Sequence, residues 1–186
     1  MRRTLRATAL AVLVTIAATT NGAGAEGFPA PETTPLIDAL VSKNNVTYVG
    51  EDTYNTTGFG QKMTRTARRG TTVRFYVRVD NDGAEVHEPR LLGCPVGTIQ
   101  ANSPDFRVDY YFLPRSGELP IPITTQVQMG VARLRLDPAE SETFRVDIRV
   151  KRTARVGATL RCKIEVDGMN DPIPPYDAVK LIVHRA

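Results

Sequence analysis

Few side chains in this sequence could do chemistry, and most stand where the bland use of them suffices. Hydrolytic catalysis needs a nucleophile, a base and a group that orients the base. The chain has two histidines, His87 and His184, neither in a GxSxG nor in an HExxH context. His87 sits beside Pro89 on an irregular stretch, and His184 falls on the polar side of an alternating one. The carboxylate pairs Glu51–Asp52 and Asp80–Asp82 are of the kind that does acid–base work. In turns such groups mostly cap or face solvent. No catalytic residue is assigned, and no enzyme is expected. Calcium wants several oxygen ligands on a flexible loop. Residues 80–85 and 167–171 each bring carboxylates and an amide, without full EF-hand spacing. No metal ligand and no cofactor is assigned. Tyr48, Tyr54, Phe59, Tyr111 and the outward Tyr76 are the aromatic side chains that could stack on a sugar in a chain without tryptophan. Arg74, Arg78, Arg133, Arg135, Arg145 and Arg149 would form outward arginine faces. They could meet an acidic partner or simply keep sheets soluble, and solubility is explanation enough. Asn45-Val46-Thr47 and Asn55-Thr56-Thr57 match the glycosylation sequon, a motif that arises often by chance.

Arg2, Arg3 and Arg6 precede the apolar run of residues 9–18, and Ala23-Gly24-Ala25 follows. That is the three-part pattern of a secretory signal cleaved after Ala25. The expected location is secreted, and no apolar run reaches transmembrane length. The chain carries a formal net charge of +4, and three of its basic side chains lie in the signal. The remainder is close to neutral, so no nucleic-acid footprint is expected. Export favours pairing Cys94 with Cys162. Two free buried thiols are the alternative, and a nucleophilic cysteine has no histidine near it in sequence.

The elements that must hold these side chains are written mostly as alternation. Val73, Phe75, Val77 and Val79 face one way, and Arg74, Tyr76, Arg78 and Asp80 the other. The same period runs through residues 106–112, 131–136, 143–151, 159–166 and 178–185. Weaker strands are expected near residues 46–50, 61–68 and 86–94. Asn81-Asp82-Gly83, Arg69-Gly70, Asp137-Pro138 and Asp167-Gly168 mark turns between them. The reading is all-β: a two-sheet immunoglobulin-like β-sandwich of about eight or nine strands. Thr34 as cap, Pro35 in the first turn and the spacing of Leu36, Ile37, Leu40 and Val41 predict a short N-terminal helix over residues 35–44. The domain plan is a signal (1–25), a linker with that helix (26–44) and the sandwich (45–186).

The stretches Tyr48–Gln61, Arg69–Gly83, Leu136–Ser141 and Asp177–Lys180, in this order, resemble the immunoglobulin-like repeats of secreted and surface proteins of bacteria, near the CARDB and DUF11-type domains. The resemblance spans residues 46–186. It implies an extracellular, non-enzymatic binding or structural module whose partner is a protein or a cell-envelope component. It carries over no catalytic residues. A small carbohydrate-binding accessory protein is the alternative, and an enzyme with an unfamiliar site the second.

Overall fold

A chain that alternates apolar and polar residues buries one side of each strand against a second sheet. The computed structural model describes residues 37–94, 103–168 and 177–186, and the pattern is realised there. The strands are β1 (Ile37–Ser42), β2 (Tyr48–Val49), β3 (Lys62–Ala67), β4 (Thr72–Asn81), β5 (Pro89–Leu92), β6 (Phe106–Leu113), β7 (Ile121–Pro122), β8 (Ala132–Arg133), β9 (Ser141–Val150), β10 (Thr159–Gly168) and β11 (Asp177–Arg185). One short helix, α1 (Thr124–Gln128), lies between β7 and β8.

Six strands form one sheet in the order β2-β1-β4-β9-β6-β7, and five form the other in the order β3-β11-β10-β5-β8. All pairs are antiparallel except β3 with β11. The inner faces carry the alternating sets read from the sequence. Phe75, Val77, Phe106, Tyr110, Phe144 and Ile148 come from the larger sheet, and Leu160, Cys162, Ile164, Val179 and Leu181 from the smaller, all buried in one core. The two-sheet sandwich is therefore as expected.

The N-terminal helix is not. Ile37–Ser42 is a strand paired residue by residue with β4, from Ile37 opposite Asn81 to Ser42 opposite Tyr76. All six of its residues are buried. A strand covered on both faces loses its alternation and reads as an apolar run, which periodicity cannot separate from a buried helix. The sandwich thus takes in residues that the sequence reading assigns to the linker. The signal and the rest of that linker lie outside the described residues. The strand count exceeds the expected eight or nine because β1 stands where a helix was expected and β7 falls where no strand was read, while β2 and β8 realise the strands expected near residues 46–50 and 131–136 as two-residue pairings. Two-residue β7 and five-residue α1 carry too little sequence pattern to be read.

Candidate functional site

The outer face of the six-stranded sheet is a closed lattice. Tyr48, Ser42, Tyr76, Arg145 and Tyr111 stand in one cross-strand row through β2, β1, β4, β9 and β6. The Arg78 guanidinium lies 4.7 Å from the Tyr48 ring centre, and that of Arg145 lies 4.2 Å from the Tyr111 ring centre. Such stacking is electrostatically favourable and covers the ring. The same arginines also pair with carboxylates. Arg74 and Arg145 both reach Asp147 at 3.2 Å, Arg78 reaches Asp80 at 2.7 Å, and Arg107 reaches Asp109 at 2.9 Å. Only Arg149 on this face lacks an ion pair among the described residues.

The outer face of the five-stranded sheet is the opposite case. Register places Lys163, Lys180 and Lys62 side by side on β10, β11 and β3. The next row holds Arg161, Ile182 and Thr64, and the one after it Thr159, His184 and Thr66. Lys163 pairs with Glu165, and Arg90 with Asp167. Lys62, Arg161 and Lys180 have no ion pair among the described residues. A shallow depression of about 170 Å³ runs between Arg161, Lys163, Lys180 and Ile182. The end of this face near Ala178 is covered by the loop before β3, where the Lys163 ammonium donates to the Thr56 carbonyl at 3.4 Å. Adjacent strands stand about 4.8 Å apart, so three cationic stems in one row make a concentrated positive strip.

A buried polar cluster, not singled out in the sequence, closes the edge of β1. β2 pairs only with Val41 and Ser42. Beyond it, side chains supply the missing strand. The Ala39 N–H donates to Asp177 Oδ2 at 2.7 Å, and Gln61 Nε2 donates to the Ala39 carbonyl at 2.8 Å. Gln61 also donates to Asp177. Asp177 Oδ1 accepts from the N–H groups of Asn55 and Ala178 at 2.9 and 2.8 Å. Asp38, 2% exposed, accepts from the Asp52 N–H at 2.8 Å through Oδ2, while Oδ1 has no donor. Asp177 acts on the same carboxyl, and two like charges in one buried place oppose ionisation of both. Burial pushes Asp38 up to about 7, helped by Asp177 and Asp82 nearby. Burial raises Asp177 as well, against the pull of its donors. A charged residue inside the run Ile37-Asp38-Ala39-Leu40-Val41 was the signal available in the sequence.

Most of the remaining sequence candidates among the described residues have structural partners. Cys94 and Cys162 form a disulfide within the five-stranded sheet, both buried. Tyr110 seals it: its hydroxyl accepts from the Cys94 N–H at 2.9 Å, and burial pushes that hydroxyl up to about 12. Gly93 admits the ring, since a Cβ there would lie 2.7 Å from the Tyr110 oxygen. His184 meets Thr159 Oγ1 at 3.0 Å through Nδ1. The His87 backbone pairs with Leu136. In residues 80–85 the Asn81 amide donates to the carbonyls of Glu85, Leu136 and Asp137, and accepts from the Gly83 N–H. That loop is organised by its own amide. Residues 169–171 of the other candidate loop lie outside the described residues. No group of three or more histidine, cysteine or acidic side chains arranged to hold a metal occurs among the described residues. Asn55 is likewise occupied, bonding Phe59, Gln61 and Thr57. Tyr54 bonds Asp82 at 2.9 Å, and Phe59 is 84% exposed. Arg135 stands 3.9 Å from Glu88 and from Asp137, and Arg133 lies opposite Arg90.

No known protein-family model matches the sequence. No curated protein matches it either. Solved structures of similar shape include a family 123 glycoside hydrolase from Clostridium perfringens, at TM-score 0.48 and 12% identity over 81% of this chain. The match spans 27% of the hydrolase. The ASH/PapD-like domain of human CEP192 matches at TM-score 0.40 and 12% identity, covering 90% of this chain and 96% of that domain. The CooA pilin subunit of enterotoxigenic Escherichia coli matches at 0.33 and 10%, covering 80% and 99%. Likeness at this level assigns neither family nor activity.

Proposed function

We propose that this protein is a secreted, non-enzymatic binding module that engages an anionic partner through the outer face of its five-stranded sheet. The observation that carries the reading is the contrast between the two faces. One sheet pairs all of its outward arginines but Arg149 with its own aspartates, and the other leaves Lys62, Arg161 and Lys180 without an ion pair among the described residues. Cationic groups clustered without partners raise the local concentration of an anion and speed its docking. The signal-like N-terminus and the likeness of residues 46–186 to surface-protein repeats support an extracellular site for that encounter.

The test is retention of the secreted protein on immobilised polyglutamate and on immobilised polyphosphate as salt is raised. The wild type is expected to bind and to elute with salt, and the triple variant Lys62→Glu, Arg161→Glu, Lys180→Glu to pass through. Equal retention of both proteins would overturn the reading. Tyr76, between the arginine-covered rings of Tyr48 and Tyr111, favours a second reading, stacking on a neutral polysaccharide. Salt-independent retention on such a polymer, lost in Tyr76→Ala, would establish it in place of the first.

A further inference from the structure

The five-stranded sheet ends in an open edge. β3 has six residues, whereas the other edge strands, β2, β7 and β8, have two each. On its inner side β3 runs parallel to β11, and the Lys180 and Ala186 N–H groups donate to the carbonyls of Gln61 and Ala67 at 2.8 and 2.9 Å. In a parallel ladder alternate residues turn their backbone groups to the same neighbour. The odd-numbered residues from Gln61 to Ala67 therefore face β11, and Lys62, Thr64 and Thr66 turn their N–H and C=O groups away from it. No described residue bonds those outward groups. The side chains of these three residues are exposed.

The charge around this edge has one sign. Lys62 and Arg65 lie on the strand, Arg68 and Arg69 follow it, and Lys180 stands beside Lys62. None of them has an ion pair among the described residues. A second copy pairing edge to edge would set these cations against their own kind, which opposes self-association. A chain carrying carboxylates gains where a second copy loses, and the open ladder matches the donor and acceptor spacing of an extended polypeptide.

We propose that an extended acidic segment of a partner protein adds to β3 as a further strand, bonding the outward backbone of Lys62, Thr64 and Thr66 and placing carboxylates beside Lys62, on the face that also carries Lys180. This rests on the anion-binding reading of the same face and names its ligand class and binding mode. Thr64→Pro separates the two, because it removes an outward donor and spares the ladder to β11.

The probes are a synthetic peptide of about eight residues alternating glutamate with valine, and polyphosphate as an anion without a peptide backbone. The peptide is expected to bind the wild type and to slow amide exchange at Lys62, Thr64 and Thr66. Thr64→Pro is expected to weaken the peptide by at least about tenfold and to leave polyphosphate retention unchanged. Peptides N-methylated on one edge or the other ask the same question with the wild-type chain, and methylation of the edge facing β3 should abolish binding. Equal binding of both methylated peptides, or polyphosphate binding without peptide binding, would overturn strand addition and leave the anionic face standing. Failure of both probes would overturn both.

Discussion

Burial of the Asp38 and Asp177 carboxyls makes their protonation matter to the fold. Both groups hold their protons more tightly in the folded chain than carboxyls near 4 do in an unfolded one. Their contribution to stability is thus fully present below about pH 4 and is lost as pH rises through the folded value of about 7 for Asp38. Asp105 and Glu140 act in the opposite direction. The Arg155 guanidinium holds Asp105 below its usual range, and the Asp137 N–H with Arg115 does so for Glu140. Their contribution is lost only as pH falls toward those lowered values, while burial raises Asp80 and Glu142 in the same direction as the buried pair, so from pH 5 to pH 8 the raised carboxyls set the slope. Thermal denaturation over that interval is expected to show the wild type losing stability as pH rises. Asp38→Asn, neutral at every pH, should flatten the slope and be the more stable protein at pH 8. A variant that keeps the full slope would show that Asp38 is not the group responsible. Asp38 was legible as an oddity, a carboxylate in an apolar run. Its partner was not, because Asp177 lies 139 positions away in sequence and only the packing of β1 beside β11 brings them together.

At the scale of elements, β1 shows how side chains can stand in for a strand. Val41 and Ser42 pair with β2, and Ala39 pairs with the side chains of Gln61 and Asp177. Gly50, at φ +113°, starts the loop that brings Gln61 there, and a Cβ on it would lie 2.5 Å from the Gln61 side chain. Asp177→Ala strips an acceptor from three backbone N–H groups, those of Ala39, Asn55 and Ala178. It is expected to cost roughly 2–3 kcal/mol in denaturant unfolding. Hydrogen exchange should quicken at Ala39 and Asn55 first, while amides of the β4–β9 pair keep their protection. Uniform loss of protection would show that β1 is not a separately anchored element. The long alternating strands β4, β6, β9, β10 and β11 were readable because each has one dry face and one wet one. β1 was not, because both of its faces are covered.

For the molecule as a whole, the disulfide ties the end of β5 to β10 across 68 positions of sequence. In the chain-entropy account, closing a loop of that length stabilises the fold by roughly 4 kcal/mol. Cys94→Ala with Cys162→Ala is expected to lower the melting temperature by about 10 °C and to leave retention on polyglutamate intact, since the proposed binding face lies on the other side of the sheet. Loss of binding in a variant that remains folded would mean that the bridge shapes the face.

Alternation, turn residues and a pair of cysteines suffice to specify an all-β sandwich, its buried rows and the pairing of Cys94 with Cys162. Those features depend on local periodicity and on chemistry carried by single residues, which are written along the chain. The contrast between the two outer faces is a matter of register. Arg145 stands beside Tyr111, and Lys163, Lys180 and Lys62 fall into one row, because of which strands pair and at what offset. Those pairings join residues far apart in sequence through backbone bonds common to every residue type, so the tertiary structure alone decides which charges are answered within the chain.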